Sequence, residues 1–240
     1  MSETTPASTG KNAAGDGSRR PPVMRAPAHR AHAALGAVFE MRGAWEVPAS
    51  YASQPREADA LRSGLAIADV TARGKLHLSG SIDPMLRHLT GGELESQRTA
   101  ATKAGDRVAR IARDWALALL RPSTENEMLR ALQAETTEDS MATDVTSAIA
   151  GYLVAGQGLE TLFARTLTLD FRDIQPGRCL AARWAKIPAV LVVLELGVPA
   201  VELYVGSEFG RYAWSTLVEL GGTLEAVPVG WRALEAWGWK

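Results

Sequence analysis

Cysteine, net charge and long apolar runs are all scarce in this sequence. Cys179 is the single cysteine among 240 residues, which excludes an internal disulfide and a zinc site built from several cysteines, and is typical of a reducing compartment. The formal net charge of -1 argues against a basic surface for nucleic acid or membrane lipid. The longest apolar run, residues 189–196, is too short to cross a bilayer. We therefore expect a cytoplasmic protein whose partners include neither nucleic acid nor membrane.

A metal site is not predicted either. His32, His77 and His88 have no carboxylate or cysteine at the spacing of metal ligands. Cys179 lies in an apolar segment and is interpreted as a small hydrophobic residue.

Composition divides the chain into five segments. Residues 1–30 are rich in Ser, Thr, Pro, Gly and Ala, which predicts a disordered leader because few large apolar groups offset the entropy of ordering. The alternative is an arm that orders along a partner subunit. Two α+β halves are expected at residues 31–136 and 145–230, with an acidic linker at 137–144 between them. Residues 231–240 form a Trp-rich tail.

Two units with the order strand, helix, strand, strand, helix are predicted in succession. The elements of the first unit are strands at 75–79, 107–112 and 115–120, and helices that begin near Ser81 and at Ser123 or Thr124. The elements of the second are strands at 149–155, 179–184, 188–196 and 200–205, a helix from about Gly158, a helix capped by Ser207 with Tyr212 and Leu217 inward, and a strand at 223–228. The positions that correspond at a constant spacing are Gly80, Leu86 and Thr90 with Gly156, Leu162 and Thr166. This correspondence indicates two packed halves related by pseudo-symmetry.

The stretch before the repeat has the most unusual residue order. A packed loop with Gly43, Trp45 and Pro48 leads into a short helix at residues 56–64 and a buried segment at 65–71. The informative residues are, in order, His32, Leu35, Gly36, Ala37, Phe39, Gly43, Trp45, Glu46, Pro48, Tyr51, Arg62, Gly64, Leu65, Asp69, Val70, Thr71 and Gly74. This order resembles the N-terminal part of the glycine-cleavage T-protein family, the tetrahydrofolate-dependent aminomethyltransferases. That family includes parts of multi-subunit sarcosine oxidases and of related N-demethylating enzymes.

The resemblance implies a fold and a set of cofactors. The fold is α+β, with two pseudo-repeated β-α-β-β-α units of the T-protein folate-binding fold around a central cavity. It lacks the C-terminal β-barrel of the full T-protein, as does the gamma subunit of heterotetrameric sarcosine oxidase. Tetrahydrofolate is the candidate cofactor, and any flavin, haem or iron would lie on partner subunits.

The resemblance supports the scaffold better than the catalysis. The family has an Asp-Asp segment just before a strand hairpin, where a carboxylate lies by the reacting nitrogen of the folate. Residues 102–106 of this chain read TKAGD, so Asp106 is the nearest carboxylate and only a weak catalytic candidate. Asp69 is interpreted mainly as a packed, hydrogen-bonded residue.

Three further residues are weak candidates for folate contacts. Arg73 stands where the family has an apolar Met that would face the ligand. Glu202 matches a glutamate that hydrogen-bonds the pterin, and its alternative is an exposed strand position. Arg232 is a candidate bidentate partner for the glutamate tail of the folate, and its alternative is an ordinary surface cation.

Three tryptophans, Trp231, Trp237 and Trp239, lie in the last ten residues. Aromatic residues beyond the last core element are enriched at interfaces, so we predict a subunit contact. The alternative is that they pack onto the surface of their own chain.

Three functions compete. The first is a gamma-type accessory subunit, non-catalytic or folate-binding, of an amine-oxidising or N-demethylating complex such as a sarcosine oxidase or dimethylamine monooxygenase. The second is a stand-alone tetrahydrofolate-dependent aminomethyltransferase or demethylase, for which Asp106 would carry the proton chemistry. The third is a monomeric folate-binding regulator, which the sequence around Cys179 favours least.

Overall fold

The computed structural model describes residues 22–51 and 53–239 and has an α+β fold. Its strands are β1 Met24–Arg25, β2 Val38–Arg42, β3 Trp45–Ser50, β4 Leu65–Asp69, β5 Gly74–Gly80, β6 Arg98–Ala101, β7 Arg107–Ala112, β8 Trp115–Leu120, β9 Ser140–Asp144, β10 Ile149–Gly156, β11 Cys179–Trp184, β12 Ile187–Glu195, β13 Pro199–Gly206 and β14 Val227–Pro228. Its helices are α1 His29–Ala34, α2 Gln54–Ser63, α3 Asp83–Thr90, α4 Glu125–Gln133, α5 Leu159–Ala164, α6 Ser207–Gly222 and α7 Trp231–Trp237. Within the described residues, no helix is long and apolar enough to span a membrane.

Two large sheets carry the two predicted units. The first has the order β6-β7-β8-β5-β9 and the second has the order β11-β12-β13-β10-β4-β14. In both, the first strand of the unit pairs antiparallel with the last strand of the following hairpin, β5 with β8 and β10 with β13. This topology confirms the predicted repeat. The halves are interleaved, because β4 precedes the first unit in the chain but pairs with β10 in the second sheet.

Alternation along the strands creates three separate cores. On β5, Leu76 and Leu78 pack in a core with α3 and α4, whereas Lys75 and His77 alternate with them and face the second sheet. Leu203 of β13 belongs to the core under α5 and α6. A third core fills the space between the two sheets. The layers are therefore helix, sheet, sheet, helix, and the space between the sheets is where inward polar residues of β5 and β13 meet.

Equivalent positions of the two units have equivalent conformations. Gly80 and Gly156 end β5 and β10 with φ values of 85° and 110°. A Cβ atom there would lie 1.8 Å and 2.0 Å from a backbone oxygen, so both positions require glycine. The hydroxyls of Thr90 and Thr166 each donate to the carbonyl four residues earlier, at 2.9 and 3.2 Å.

The region before the repeat differs from its prediction. The supposed packed loop around Trp45 is a hairpin of β2 and β3, with β1 beside β3. Strand β3 was not predicted because it contains Pro48, and proline is unusual inside a sheet. Of the predicted leader, residues 22–30 contain β1 and the start of α1, which corrects that part of the prediction. Residues 1–21 lie outside the described residues.

Other segments also correct the sequence interpretation. The supposed linker contains β9, an edge strand on β5, whose short polar sequence is typical of edge strands and gives little apolar pattern. The last predicted strand, at residues 223–228, is shorter in the structure, where only β14 is a strand. Tyr212 is exposed instead of inward, and Trp214 is buried beside Leu217 on that face of α6. The described residues form no separate β-barrel.

Candidate functional site

A buried ion pair joins the two halves between the sheets. Arg73 lies in the turn that leads into β5, and Glu202 lies at the centre of β13. The Nη1 atom of Arg73 donates to Glu202 Oε1, and Nη2 donates to the Leu119 carbonyl at 3.2 Å. Burial alone would lower the pKa of Arg73, but the Glu202 carboxylate reverses this and raises it above its usual value. The guanidinium therefore stays charged, and the carboxylate of Glu202 is its hydrogen-bonded partner away from water.

Two aromatic side chains also donate hydrogen bonds to Glu202. The hydroxyl of Tyr204 donates to Oε2 at 2.9 Å, and the indole Nε1 of Trp239 donates to Oε1 at 2.9 Å. The guanidinium carbon of Arg73 lies 5.1 Å from the centroid of the Trp239 ring, a cation-π distance. Trp231 packs edge-on against Trp239 at 5.5 Å. The alternative for Glu202, an exposed strand position, is wrong, because its side chain is fully buried.

The open space beside this ion pair is small. A pocket of about 190 Å³ is lined by Arg73, Leu120, Arg121, Pro122, Trp231, Glu235 and Trp239. Sites for cofactor-sized ligands usually have roughly 300–1,000 Å³. The residues that would recognise a pterin do not fit a folate in this arrangement, since the pocket is small and three of the roughly four acceptor sites of Glu202 are filled by donors from the chain itself.

A larger pocket lies further along the space between the sheets. It has about 380 Å³ and a mostly apolar lining that includes His77, Trp115, Val190 and Tyr204. Tyr204, whose hydroxyl donates to Glu202, also lines this pocket, so the pocket adjoins the ion pair on the side of that tyrosine.

Asp106, the weak catalytic candidate, is buried just before β7. Its Oδ1 accepts from the backbone N–H of Arg121 at 3.0 Å and from the Arg121 Nε at 3.2 Å. It also helps to raise the pKa of Arg73, so it lies within electrostatic range of the ion pair. This carboxylate is engaged in fixing the end of β8 to the turn before β7.

The other predicted residues are divided between the interior and the surface. Arg232 is half-exposed and pairs with Glu40 at 2.9 Å, outside the pocket beside Arg73. Trp231 and Trp239 are buried in their own chain, which is the alternative that the sequence left open. Trp237 is half-buried at the surface, so the predicted subunit contact concerns this tryptophan alone.

A buried lysine at this site was missed in the sequence. The Nζ of Lys75 donates to the carbonyls of Thr71 and Arg73 at 2.8 and 2.6 Å. Burial lowers its pKa to about 7, although nearby Asp69 acts in the opposite direction. Side chains alternate along β5, and Leu76 packs under the helices. The same alternation would have predicted that Lys75 lies on the other face, between the sheets.

The residues that carried the family resemblance form a second buried network. The Nε2 of His32 pairs with Asp69 Oδ2 at 2.7 Å, and the hydroxyl of Tyr51 pairs with His32 Nδ1 at 2.7 Å. The backbone N–H of Thr71 donates to Asp69 Oδ1 at 2.8 Å, and the indole of Trp231 donates to the Asp69 carbonyl at 2.9 Å. Asp69 is thus packed and hydrogen-bonded, as expected, and it fixes the turn that presents Arg73. Within the described residues, no cluster of three His, Cys, Asp or Glu side chains could hold a metal ion.

Comparison with known proteins gives two kinds of relative. The aminomethyltransferase of Cutibacterium acnes (strain DSM 16379 / KPA171202) is 25% identical over 225 residues, which cover 83% of this chain and 60% of that protein. The crystal structure of glycine cleavage system aminomethyltransferase T from Bartonella henselae has 13% identity and a TM-score of 0.74, and the match covers 88% of this chain and 60% of that chain. This chain thus spans about 60% of the length of these two proteins.

The second kind is a chain of heterotetrameric sarcosine oxidase from Corynebacterium sp. U-96, solved in complex with pyrrole 2-carboxylate. It has 17% identity and a TM-score of 0.63, and the match covers 86% of this chain and 98% of that chain. At such identities these structures establish the fold. Residues 28–237 match the family described as the GCVT N-terminal domain. This chain therefore belongs to the GCVT N-terminal domain family.

Proposed function

We propose that this chain is a gamma-type accessory subunit of a multi-subunit enzyme that oxidises or N-demethylates an amine. The observation that carries the proposal is the engagement of both carboxylate oxygens of Glu202 by Arg73, Tyr204 and Trp239. The carboxylate that would recognise a pterin already accepts three hydrogen bonds from its own chain. The T-protein scaffold is retained, and the ligand-recognition group serves the chain's own packing.

The site also has no carboxylate that is clearly placed to carry the proton chemistry of aminomethyl transfer. Asp106 is the nearest candidate, and its Oδ1 is held by two hydrogen bonds from Arg121. A general acid or base has to reach the substrate atom in hydrogen-bond distance. This arrangement supports a bracing role for the chain, with flavin, haem or iron on other subunits.

The relation to sarcosine oxidase supports a hetero-oligomeric setting. The matching chain, at a TM-score of 0.63, comes from an enzyme described as heterotetrameric. The half-buried Trp237 on α7 is our candidate for a contact with such a partner. We place the assembly in the cytoplasm, in agreement with a single buried cysteine.

Gentle purification of the tagged chain from its native source tests this proposal. We expect a particle several times the mass of one chain, with the visible absorbance of a flavin or haem. Trp237→Ala should weaken the retention of partners, whereas Met141→Ala, at another exposed apolar position, should retain them. A colourless particle of one chain would contradict the proposal.

The alternative is a stand-alone tetrahydrofolate-dependent aminomethyltransferase or demethylase, favoured by the 25% identity with the Cutibacterium acnes enzyme. Under this alternative the isolated chain would bind tetrahydrofolate, and Asp106→Asn would abolish transfer while Asp114→Asn, in the β7–β8 turn, would not. We expect instead no saturable folate binding by calorimetry. Transfer by the isolated chain that depends on Asp106 would establish the alternative.

A further inference from the structure

The two large sheets are joined along a seam between β6 and the residue that precedes β11. Arg98 on β6 lies opposite Arg178 in an isolated antiparallel bridge. One backbone hydrogen bond of 3.2 Å ends on the Gln97 carbonyl, another of 2.9 Å starts from the Thr99 N–H, and the two flank the arginine pair. The pair is therefore of the non-hydrogen-bonded kind, in which the Cα atoms are only about 4.5 Å apart and the side chains are closest.

This register places like charges directly opposite each other. Arg98 also lies opposite Arg110 of β7, and Arg110 pairs with Asp83 at 2.7 Å. The guanidinium of Arg178 donates to the neutral amide oxygen of Gln97 at 2.6 Å. Within the described residues, neither Arg98 nor Arg178 forms an ion pair with a carboxylate. Like charges opposite each other destabilise a strand pair, so an anion bound between these two side chains would stabilise the seam.

A pocket beside the seam is rich in hydrogen-bond donors. It has a volume of about 290 Å³, and its lining includes Gln97, Arg98, Asp173, Gln175, Arg178 and Leu180. The two arginine and the two glutamine side chains can all donate. Asp173 also belongs to this lining, and in the part of the chain that the structure describes it forms no ion pair with either arginine. The lining therefore favours an anionic ligand.

We propose that Arg98 and Arg178 bind a phosphate group that bridges the two sheets. A carboxylate has two oxygens, which a single guanidinium fork fills. A phosphate group has three acceptor oxygens and a charge of about -1.5 to -2, so it matches two guanidinium groups on opposite strands. The pocket is large enough to hold the organic part of a small phosphate ester as well. This site belongs to the chain itself and does not depend on the proposed assembly, so a negative result here would leave the assembly proposal intact.

Calorimetric titration of the full chain with inorganic phosphate, at constant ionic strength, tests the proposal. We expect saturable binding of phosphate and no saturable binding of acetate. Arg98→Gln and Arg178→Gln should each weaken phosphate binding roughly 10- to 100-fold, because each removes charge-assisted hydrogen bonds. The matched control Arg56→Gln removes an exposed arginine of α2 and should bind phosphate as the native chain does. Tighter binding of glycerol phosphate than of inorganic phosphate would identify an ester as the occupant, and equal affinity would identify the free ion.

The melting temperature gives a second readout, which a purely structural role of the arginines would not produce. In chloride buffer, Arg98→Gln should melt at a temperature no lower than that of the native chain, because the substitution removes the like-charge contact. In saturating phosphate the native chain should melt higher than Arg98→Gln, because a ligand of the folded state stabilises it. A native chain that gains no stability over Arg98→Gln when phosphate is added would overturn the proposal. So would phosphate binding that Arg56→Gln weakens as much as Arg98→Gln, since this would indicate only a response to net charge.

Discussion

Glu202→Gln is the most direct perturbation of the buried ion pair. The change keeps the size of the side chain but leaves the Arg73 guanidinium charged, buried and without its hydrogen-bonded counter-ion. Breaking a buried pair from one side costs about 3–5 kcal/mol. For a chain of this length, 1 kcal/mol corresponds to roughly 2–4 °C in the melting temperature, so we expect a decrease of about 6–20 °C.

The double variant Arg73→Met/Glu202→Gln shows whether the cost comes from the unpaired charge. Without the guanidinium, the amide oxygen at position 202 still accepts from Trp239, so the double variant should lose less stability than the sum of the two single variants. We expect a coupling of about 2–4 kcal/mol, measured by urea unfolding of all four proteins.

A matched control uses an ion pair at the surface. Arg172→Met removes the exposed pair with Asp170 and should leave the unfolding midpoint almost unchanged. Additive single effects at Arg73 and Glu202, or a loss below about 1 kcal/mol for Glu202→Gln, would refute the reasoning. Either result would mean that water reaches the guanidinium in the folded protein.

Three further changes test other parts of the structure. Burial lowers the pKa of Lys75 to about 7, so between pH 7 and 10 this side chain is neutral in the folded chain and protonated in the unfolded chain. Relative to Lys75→Met, the native chain should therefore lose about 1.4 kcal/mol of unfolding free energy for each pH unit from pH 10 down to 7. A difference between the two proteins that does not change with pH would contradict this. Gly80→Ala should lower the melting temperature far more than Gly177→Ala, because both have positive φ but only at Gly80 would the new Cβ meet a backbone oxygen at 1.8 Å; similar decreases would argue against the clash. Tyr51→Phe should cost about 1–3 kcal/mol in urea unfolding, because it leaves a nitrogen of the buried His32 ring without its partner, and an unchanged midpoint would show that the bond contributes little.

The repeat was predictable because it depends on local patterns. Leu76 and Leu78 alternate with polar residues, and Gly80 and Gly156 end strands at corresponding positions. Strands β2 and β9 were not predicted, because their side chains alternate weakly between exposed and buried. The edge strand β9 pairs with β5, which is distant in the chain, and such a partner leaves no local signal.

The sequence identified individual residues of the site, but it did not predict which of them contact each other. Strand alternation places Glu202 on the face opposite Val201 and Leu203, which would have predicted burial between the sheets. Its pairing with Arg73 joins residues 129 positions apart, and no spacing rule reaches that far. Trp239 was predicted at a subunit contact but is buried in its own chain. The sequence could not separate these cases, because an indole has an apolar body and a polar N–H and suits an interface as well as a core.

The resemblance implies an apolar residue of the family at the position of Arg73, and the arginine of this chain changes how Glu202 is interpreted. A glutamate at this position of the family would indicate pterin recognition if its carboxylate were free to accept a ligand. In this chain Arg73 could not be buried without a carboxylate beside it, since an isolated buried charge is too costly to retain. The ion pair is therefore a sufficient reason for a glutamate at position 202, and the indole of Trp239 donates a further hydrogen bond to it. Retention of a binding residue indicates retained binding only when no neighbour in the same chain depends on it.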